Sequence, residues 1–236
     1  EELVVALRDI TDGKIFLEAE RARLTRALAI IKEQNGDIAA AADVLQEVHV
    51  ETYGSLSKKE KVEFILEQMR LTLAKKDYVR AYIVGNKINR KALGEEGMEA
   101  YRVRFFELMA EYHRHEKDAY ELSKDYHAIY STHIRVMANS GATQAEPNTE
   151  QTKATTPTAD DSDTDEKWME ALRSTVLFLA LSPHTPEQND TLLRIAADTN
   201  LEKIEACRDT VRILLRKEIA QYPLPHQAEM ESWNAF

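Results

Sequence analysis

Proline, the residue that most strongly interrupts helices, is missing from the first 146 residues of this chain of 236. Proline lacks a backbone donor and its ring clashes with the preceding turn, so its absence leaves long helices possible. The same stretch is rich in Ala, Leu, Glu, Lys and Arg, which lose little conformational freedom in a helix. The whole chain also has only 7 Gly and 6 Pro. The sequence therefore predicts an all-α protein.

A short turn pattern recurs along this region at nearly constant spacing. Asp37 precedes the run AAAADVL, Asp77 precedes YVRA, and Asp118 precedes AYELSKDY. The steps are 40 residues from Asp37 to Asp77 and 41 from Asp77 to Asp118, a period typical of helical hairpin repeats. Aspartate is also a favoured N-cap, because its carboxylate accepts hydrogen bonds from the first backbone amides of a helix. The spacing predicts an α-solenoid of stacked antiparallel helix hairpins.

Helix boundaries can be predicted from the same signals. Residues 14–34 form the first long helical pattern. Ser57 and Glu60 have the spacing of a capping box, and Thr185 with Gln188 has it again beside a first-turn proline. The helix around 101–112 has apolar residues on two faces, which indicates packing between two neighbouring helices, as expected in a solenoid.

The low-complexity segment 138–166 reads ANSGATQAEPNTEQTKATTPTADDSDTDE and contains no Leu, Ile, Val, Phe, Tyr or Trp. Such a segment buries too little apolar surface to offset the entropy of ordering the chain. We therefore expect a helical-repeat solenoid over 1–136, a disordered insertion over 137–166, and a continuation of the repeats over 167–236. The last long helix is predicted over about 201–220, before Pro223 and Pro225.

The charge balance limits the classes of partner. There are 31 basic and 41 acidic residues, a net charge of −10, which disfavours nucleic acid and anionic lipid as main partners. A single cysteine forms no internal disulfide, and the apolar run VLFLAL at 176–181 is too short to span a membrane. We expect a cytoplasmic or nuclear protein with no membrane, nucleic-acid or small-molecule ligand.

The candidate metal ligands of the sequence are histidines and acidic residues. The histidines that cluster in sequence are His113, His115, His127 and His133. The first two are two residues apart, which on a helix places them about 200° apart around the axis, too far to share a metal. Asp161, Asp163 and Asp165 alternate as in a calcium loop but lack its glycine and its distal glutamate. A solvated acidic run is expected there, within which Ser162 is a candidate phosphorylation site.

The candidate nucleophile of the sequence is its single cysteine. Cys207 lies on an apolar helical stripe with no evident general base, so an inert buried thiol is expected. The chain contains no GxGxxG, GxxxxGK[ST], GxSxG or HExxH motif. We therefore predict no enzyme activity, no catalytic, cofactor-binding or metal-binding residue, and no cofactor. For partner contact the candidates are the aromatic residues Tyr53 and Tyr82, with a packing role as the alternative, while Trp233 and Phe236 are apolar groups expected to need a partner surface.

Long segments resemble PCI-family subunits of the proteasome regulatory particle lid. The resemblance covers residues 12–89, which include VETYGSL and EFILEQMRL, and continues over 112–130 and 166–204. It implies a right-handed solenoid of TPR-like repeats. The PCI winged-helix module of the family is not included and is expected after Phe236, and the chain starts with Glu1 instead of Met, so we expect a part of a longer protein.

The resemblance also implies a role. It implies a non-catalytic scaffold that supports assembly of the lid and ubiquitin-dependent protein degradation. The implied partners are other lid subunits including the deubiquitinase, the ATPase ring and the core particle. Two alternatives remain open at this point: a paralogous PCI subunit of the signalosome that deneddylates cullins, and a free-standing TPR-like adaptor.

Overall fold

The computed structural model describes residues 1–142, 159–216, 218–219 and 223–233, and for residues 140–142 and 159–165 it describes the backbone alone. Within these ranges the chain forms α-helices and short 3-10 turns, with no strand. The helices are α1 (Glu2–Thr11), α2 (Glu18–Gln34), α3 (Ile38–Gln46), α4 (Lys58–Ala74), α5 (Tyr78–Gly85), α6 (Glu99–Glu116), α7 (Ala119–Ala142), α8 (Ala159–Leu181), α9 (Pro186–Ala196), α10 (Glu205–Leu215) and α11 (Gln227–Glu231). The all-α helical-repeat prediction is confirmed, while the handedness of the repeats stays a prediction.

Packing divides the chain into two compact units, Glu1–Tyr112 and His113–Phe236, with the division inside α6. The predicted segments 1–136, 137–166 and 167–236 were bounded by the low-complexity sequence and not by packing, and they stay a prediction. Helix α7 continues to Ala142 and α8 begins at Ala159, so both ends of the segment predicted to be disordered are helical. Residues 143–158 lie outside the described residues.

The N-terminal unit is a series of helices that each pack on the next in sequence: α1 on α2, α2 on α3, α3 on α4 and α4 on α5. Its core is made of apolar side chains from these helices, from α6 and from the turns between them, and the most deeply buried include Leu28, Leu45, Leu66, Met69 and Phe105. Packing between sequence neighbours is what distinguishes a repeat protein from a globular fold with distant pairings.

The recurring aspartates form the same turn three times. In each turn the residue before the aspartate has positive φ, and the aspartate carboxylate accepts from an amide three residues later. The three turns are Gly36 (φ 86) with Asp37 and Ala40 (2.9 Å), Lys76 (φ 65) with Asp77 and Arg80 (3.1 Å), and Lys117 (φ 59) with Asp118 and Glu121 (3.1 Å). The aspartate amides in turn donate to carbonyls five residues earlier, which closes the preceding helix. The predicted N-caps are confirmed, and so is the repeat period on which they were based.

The capping prediction at Ser57 is confirmed, whereas the one at Thr185 is correct only in part. The Ser57 hydroxyl accepts from the Glu60 amide while the Glu60 carboxylate accepts from the Ser57 amide, a complete capping box. The Thr185 hydroxyl accepts from the Gln188 amide at 3.1 Å. The Gln188 side chain, however, donates to the carbonyl of Leu179 at 3.0 Å, because it is buried beside the end of α8 and not beside the cap.

Two predicted helices are shorter than expected. The pattern at 14–34 contains a 3-10 turn at Ile15–Leu17 before α2 begins at Glu18, since Gly13 has a positive φ of 67 and Lys14 is extended. The predicted helix at 201–220 is a 3-10 turn at Thr199–Lys203 followed by α10, which ends at Leu215. Here the Asp198 carboxylate accepts from the Asn200 amide and Ile204 is extended, so two short helices replace one long helix.

The C-terminal unit is organised around α7, α8 and α10. Helix α7 packs along α8, and α10 packs on both α8 and α9. Trp168, Leu172, Leu179 and Val211 are among its most deeply buried side chains, each at most 1% exposed. This unit therefore also has a helical core of its own.

Candidate interaction surfaces

The histidines that cluster in sequence do not form a metal site. His113 pairs with Asp125, with 2.6 Å between Nδ1 and a carboxylate oxygen, and both side chains are buried. His115 lies 3.1 Å from Glu116 at the surface, and the ring of His127 lies 6.0 Å from that of Tyr130. Across the described part of the chain, no group of three or more His, Cys, Asp or Glu residues is arranged to hold a metal ion.

Cys207 is buried, as predicted from its position on an apolar stripe. Burial raises the pKa of its thiol to about 12, so the thiol stays protonated at physiological pH and is a poor nucleophile. The side chains of Asp161, Ser162, Asp163 and Asp165 lie outside the described residues. The part of the chain that the structure describes contains no helix with both the length and the apolar content required to cross a membrane.

A polar network around the buried Tyr130 joins elements of the C-terminal unit. The hydroxyl of Tyr130 donates to the Asp198 carboxylate at 2.5 Å and accepts from the Asn200 side chain at 3.0 Å. Burial, and then the hydrogen bond to Asp198, raise the pKa of Tyr130 well above its ordinary value. The Trp168 ring lies 6.3 Å from that of Tyr130, and Lys203 lies 5.1 Å above the Trp168 ring. These contacts join α7, α8 and the turn after α9, and they satisfy the polar groups internally.

The N-terminal unit has instead a ladder of ion pairs between α2, α4 and α6. Its members are 37 residues apart: Arg23 with Glu60 at 2.8 Å, Arg26 with Glu63 at 2.8 Å, Glu33 with Arg70 at 2.7 Å, and Glu67 with Arg104 at 2.7 Å. Within this ladder Arg70 also donates from Nε to Glu67 at 2.8 Å, which links the three helices into one network. This separation of 37 residues is three less than the 40-residue step between Asp37 and Asp77, and it is the same in all four pairs. The ladder therefore follows the repeat.

The arginine partners lower the pKa of the carboxyl groups in this network. Hydrogen bonds from Arg70 lower the pKa of Glu33. Burial raises the pKa of Glu67, but hydrogen bonds from Arg104 and Arg70 outweigh it, and the net pKa is lowered. These carboxylates are therefore held ionised by the neighbouring helices, and the ladder face is a self-neutralised surface.

An apolar stripe lies exposed at the start of the chain. Leu3, Leu7 and Ile10 recur at four and three residues on one face of α1 and are 72%, 40% and 59% exposed. Ile15 and Phe16, in the following 3-10 turn, are each 78% exposed. Exposed large apolar residues in such a group are typical of surfaces that a partner covers.

A second exposed apolar face belongs to α5. Val79 and Ile83 lie four residues apart on its outward face and are 74% and 55% exposed. Tyr82 is 41% exposed and stacks on Tyr112 with ring centroids 5.1 Å apart. Tyr82, a predicted contact residue, therefore lies at the rim of this face, whereas Val79 and Ile83 were missed because a periodic pattern does not say which helical face is left uncovered.

The other aromatic candidates lie elsewhere. Tyr53 is partly buried against the core of the N-terminal unit, and burial raises its pKa, which favours the packing alternative. Trp233 packs on the guanidinium of Arg173 at 5.7 Å, beside a groove of about 510 Å³. Phe236 lies outside the described residues.

Comparison with known proteins identifies the family to which these features correspond. A family described as PSMD12/CSN4, N-terminal, matches residues 1–136. The chain is also 35% identical over 221 residues to the 26S proteasome non-ATPase regulatory subunit 12 of Dictyostelium discoideum. It is 33% identical over 223 residues to the 26S proteasome regulatory subunit RPN5 of Saccharomyces cerevisiae, and 34% identical over 245 residues to homolog A of subunit 12 in Arabidopsis thaliana.

Each match covers most of this chain but less than half of the relative's own length. Each of the three covers 94% of this chain, but only 44% of the Dictyostelium and Saccharomyces proteins and 49% of the Arabidopsis protein. The chain thus spans less than half the length of the curated relatives it matches.

Proposed function

Since this chain belongs to the PSMD12/CSN4 N-terminal family, we propose that it is the helical-repeat part of a scaffold subunit in the lid of the 26S proteasome regulatory particle. The subunit is the fifth non-ATPase subunit, which corresponds to the relatives named RPN5 in yeast and non-ATPase regulatory subunit 12 in Dictyostelium. The observation that carries the proposal is the match of 94% of the chain to proteins named as 26S regulatory subunits in organisms as distant as an amoeba, a yeast and a plant.

In this role the protein catalyses no reaction and supports assembly of the lid and ubiquitin-dependent protein degradation. Its partners are other lid subunits including the deubiquitinase, the ATPase ring and the core particle, in the cytoplasm and the nucleus. A repeat of stacked helices suits this role, because it offers long surfaces to several partners while each repeat is fixed by its neighbours.

The ladder between α2, α4 and α6 supports the scaffold role by physical argument. Four cross-helix ion pairs in one register resist sliding of one hairpin along the next, because a shift by one helical turn separates every pair at once. A scaffold transmits position between the proteins it holds, and a stack that keeps its register does so better than a loose one.

The proposal is tested by tagging the full-length protein at its native locus, purifying it from cells under mild conditions and identifying its companions by mass spectrometry. We expect lid subunits, ATPase subunits and core subunits in stoichiometric amounts. Recovery of signalosome subunits without proteasomal ones would contradict the proposal and favour the paralogous complex. Recovery of the tagged protein with no stable companion would favour a free-standing adaptor.

A further inference from the structure

The outward face of α5 differs from the equivalent face of the preceding repeat. Because the capping aspartates of α3 and α5 lie 40 residues apart, Val79 occupies the position of Ala39, and Ile83 the position of Asp43. All four side chains are exposed. The same place in the fold therefore has a small and an acidic residue in α3 but two large aliphatic residues in α5, so the repeat itself does not require the apolar face.

The next repeat does not have an uncovered apolar face at this place either. With a step of 41, the corresponding residues of α7 are Tyr120 and Lys124. The ammonium of Lys124 lies 4.2 Å from the centre of the Tyr120 ring and also pairs with Glu121 at 2.6 Å. This position in α7 is polar, and the ammonium of Lys124 is paired within its own helix. Among α3, α5 and α7, α5 alone has two exposed aliphatic residues at this place.

Basic residues predominate in the sequence that contains α5 and its flanks, in a chain whose net charge is −10. Residues 75–91 contain six basic residues against one acidic residue, Asp77. The six are Lys75, Lys76, Arg80, Lys87, Arg90 and Lys91. Lys75 pairs with Asp43 and Lys87 with Glu51. Lys76, immediately before α5, and Arg90 and Lys91, shortly after it, have no ion-pair partner within the described parts of the chain, so cations available to a partner both precede and follow α5 along the chain.

We propose that the α5 face, formed by Val79 and Ile83 with Tyr82 at its rim and Lys76, Arg90 and Lys91 at its ends, docks an acidic amphipathic helix of another subunit. Two aliphatic residues one turn apart fit the apolar stripe of a helix laid across them. The cations at the two ends match carboxylates flanking that stripe and repel basic helices, which gives the contact its specificity. The inference rests on the scaffold role proposed above and names the chemistry of one of its partners.

A second copy of the chain is the main competing occupant. The stripe on α1 is apolar and has Glu2 and Asp9 along one edge, so it has the chemistry that the α5 face selects. Contact between α1 of one copy and α5 of the next joins two different surfaces, and such contacts generate open chains of molecules when the rotation does not close. A subunit that enters a defined complex is not built that way, so we assign the face to another protein.

The test is photo-crosslinking in the full-length tagged protein within cells. The photoreactive amino acid p-benzoylphenylalanine replaces Val79 in one strain and Ala39 in a matched control strain, and the crosslinked peptides are identified by mass spectrometry. We expect the yield of crosslinks to another protein from position 79 to exceed that from position 39 several-fold, because only a covered position keeps the photoreactive group in contact with a partner. The expected peptide comes from another lid subunit and has Asp or Glu beside apolar residues at helical spacing.

Substitution then separates the apolar and the charged parts of the contact. The double variant Val79→Ala with Ile83→Asp gives α5 the residues that α3 already has at these positions, so the fold is expected to tolerate it. A triple variant, Lys76→Glu with Arg90→Glu and Lys91→Glu, reverses the end charges. With the photoreactive group at Tyr82, each variant is expected to lower the crosslink yield about tenfold, and charge reversal in the identified partner peptide is expected to restore the yield of the triple variant.

The remaining outcomes overturn the inference. Crosslinks from position 79 to residues 1–16 of a second copy, to the chain itself, or to a basic or non-amphipathic segment would each assign the face differently. A yield no higher than that from position 39 would show the face to be open to solvent in the cell. The absence of lid subunits from the purified material is a separate result that contradicts the proposed function, whatever position 79 contacts.

Discussion

The two units of the chain are stabilised by different means. In the unit Glu1–Tyr112 the polar contacts between helices are partly exposed Arg–Glu pairs at a constant separation of 37 residues. In the unit His113–Phe236 they are partly buried hydrogen bonds between residues 68 to 70 apart, centred on the buried Tyr130. Stability that follows a repeat period is spread over many weak contacts, whereas the second arrangement concentrates it in few. The difference predicts where single substitutions are tolerated.

The largest expected effect comes from the core of each unit. Trp168→Ala is expected to lower the free energy of unfolding by about 3–5 kcal/mol, since the side chain is 1% exposed, and Leu66→Ala by about 2–5 kcal/mol. Native-state hydrogen exchange is expected to show the loss of protection in α7, α8 and α10 for the first and in α2–α4 for the second. Equal loss throughout the chain for both variants would mean that the two units unfold as one, and would remove the basis of the comparison.

The next effect concerns the polar network around Tyr130. Tyr130→Phe keeps the ring and removes the hydroxyl that Asp198 and Asn200 share, so it is expected to cost about 1–3 kcal/mol in chemical denaturation. Tyr120→Phe is the matched control in the same helix, because its hydroxyl makes a single long contact of 3.5 Å to Thr191 that is also partly buried. The control is expected to change stability by less than about 0.5 kcal/mol. A similar cost for both variants would show that the network is not special.

The ladder is expected to be more tolerant and to depend on pH and salt. Arg70→Met removes the partner of Glu33 and one of two partners of Glu67, at an expected cost of about 1–2 kcal/mol, because the pairs are only partly buried. The pKa of both carboxyls is lowered from 4.5 in the folded chain, so their contribution is complete above that pH and is lost as the pH falls below it. Denaturation midpoints from pH 7 to pH 3 are thus expected to fall more steeply in the parent chain than in the variant. Parallel curves would show that the ladder contributes nothing.

The smallest effects are expected in the aspartate-capped turn, a type of turn that occurs in both units. Gly36→Ala is expected to destabilise the chain by about 1 kcal/mol, because φ is 86 at this position. Lys76→Gly and Lys117→Gly relieve the same strain in one turn of each unit and are expected to stabilise by about 0.5 kcal/mol. Thermal unfolding of the three variants measures both signs in one series. Destabilisation by either lysine substitution would mean that the lysine side chain contributes more than the backbone strain costs.

Sequence reasoning succeeded where local chemistry decides the structure. The aspartate caps and the Ser57 capping box were predictable, because they depend on residues three positions apart. The division of the predicted helix at 201–220 into a 3-10 turn and α10 was not, because the side chain of Asp198 competes for backbone amides and interrupts an apolar pattern that continues through the turn. The ladder was also missed, although its signal is present in the sequence as Arg and Glu residues one repeat minus three positions apart.

The candidate surfaces show the same limit. Tyr82 was a candidate for partner contact because it is aromatic. Whether the residues beside it form an exposed face depends on which side of α5 lies away from the neighbouring helices. That information is tertiary, since Val79 and Val84 have similar side chains and only the structure shows the first exposed and the second buried. Aligning the repeats by their capping aspartates is the one sequence operation that marks Val79 and Ile83 as unusual.

The repeat register of the N-terminal unit is tested most directly by exchanging the charges of one rung. Arg26 and Glu63 lie 2.8 Å apart and pair with no other residue in the described ladder. Arg26→Glu and Glu63→Arg are each expected to cost about 1 kcal/mol at low salt, and the double variant, which restores an opposite pair, is expected to recover most of the loss. A double variant whose cost equals the sum of the two single costs would show that these helices do not lie side by side in this register.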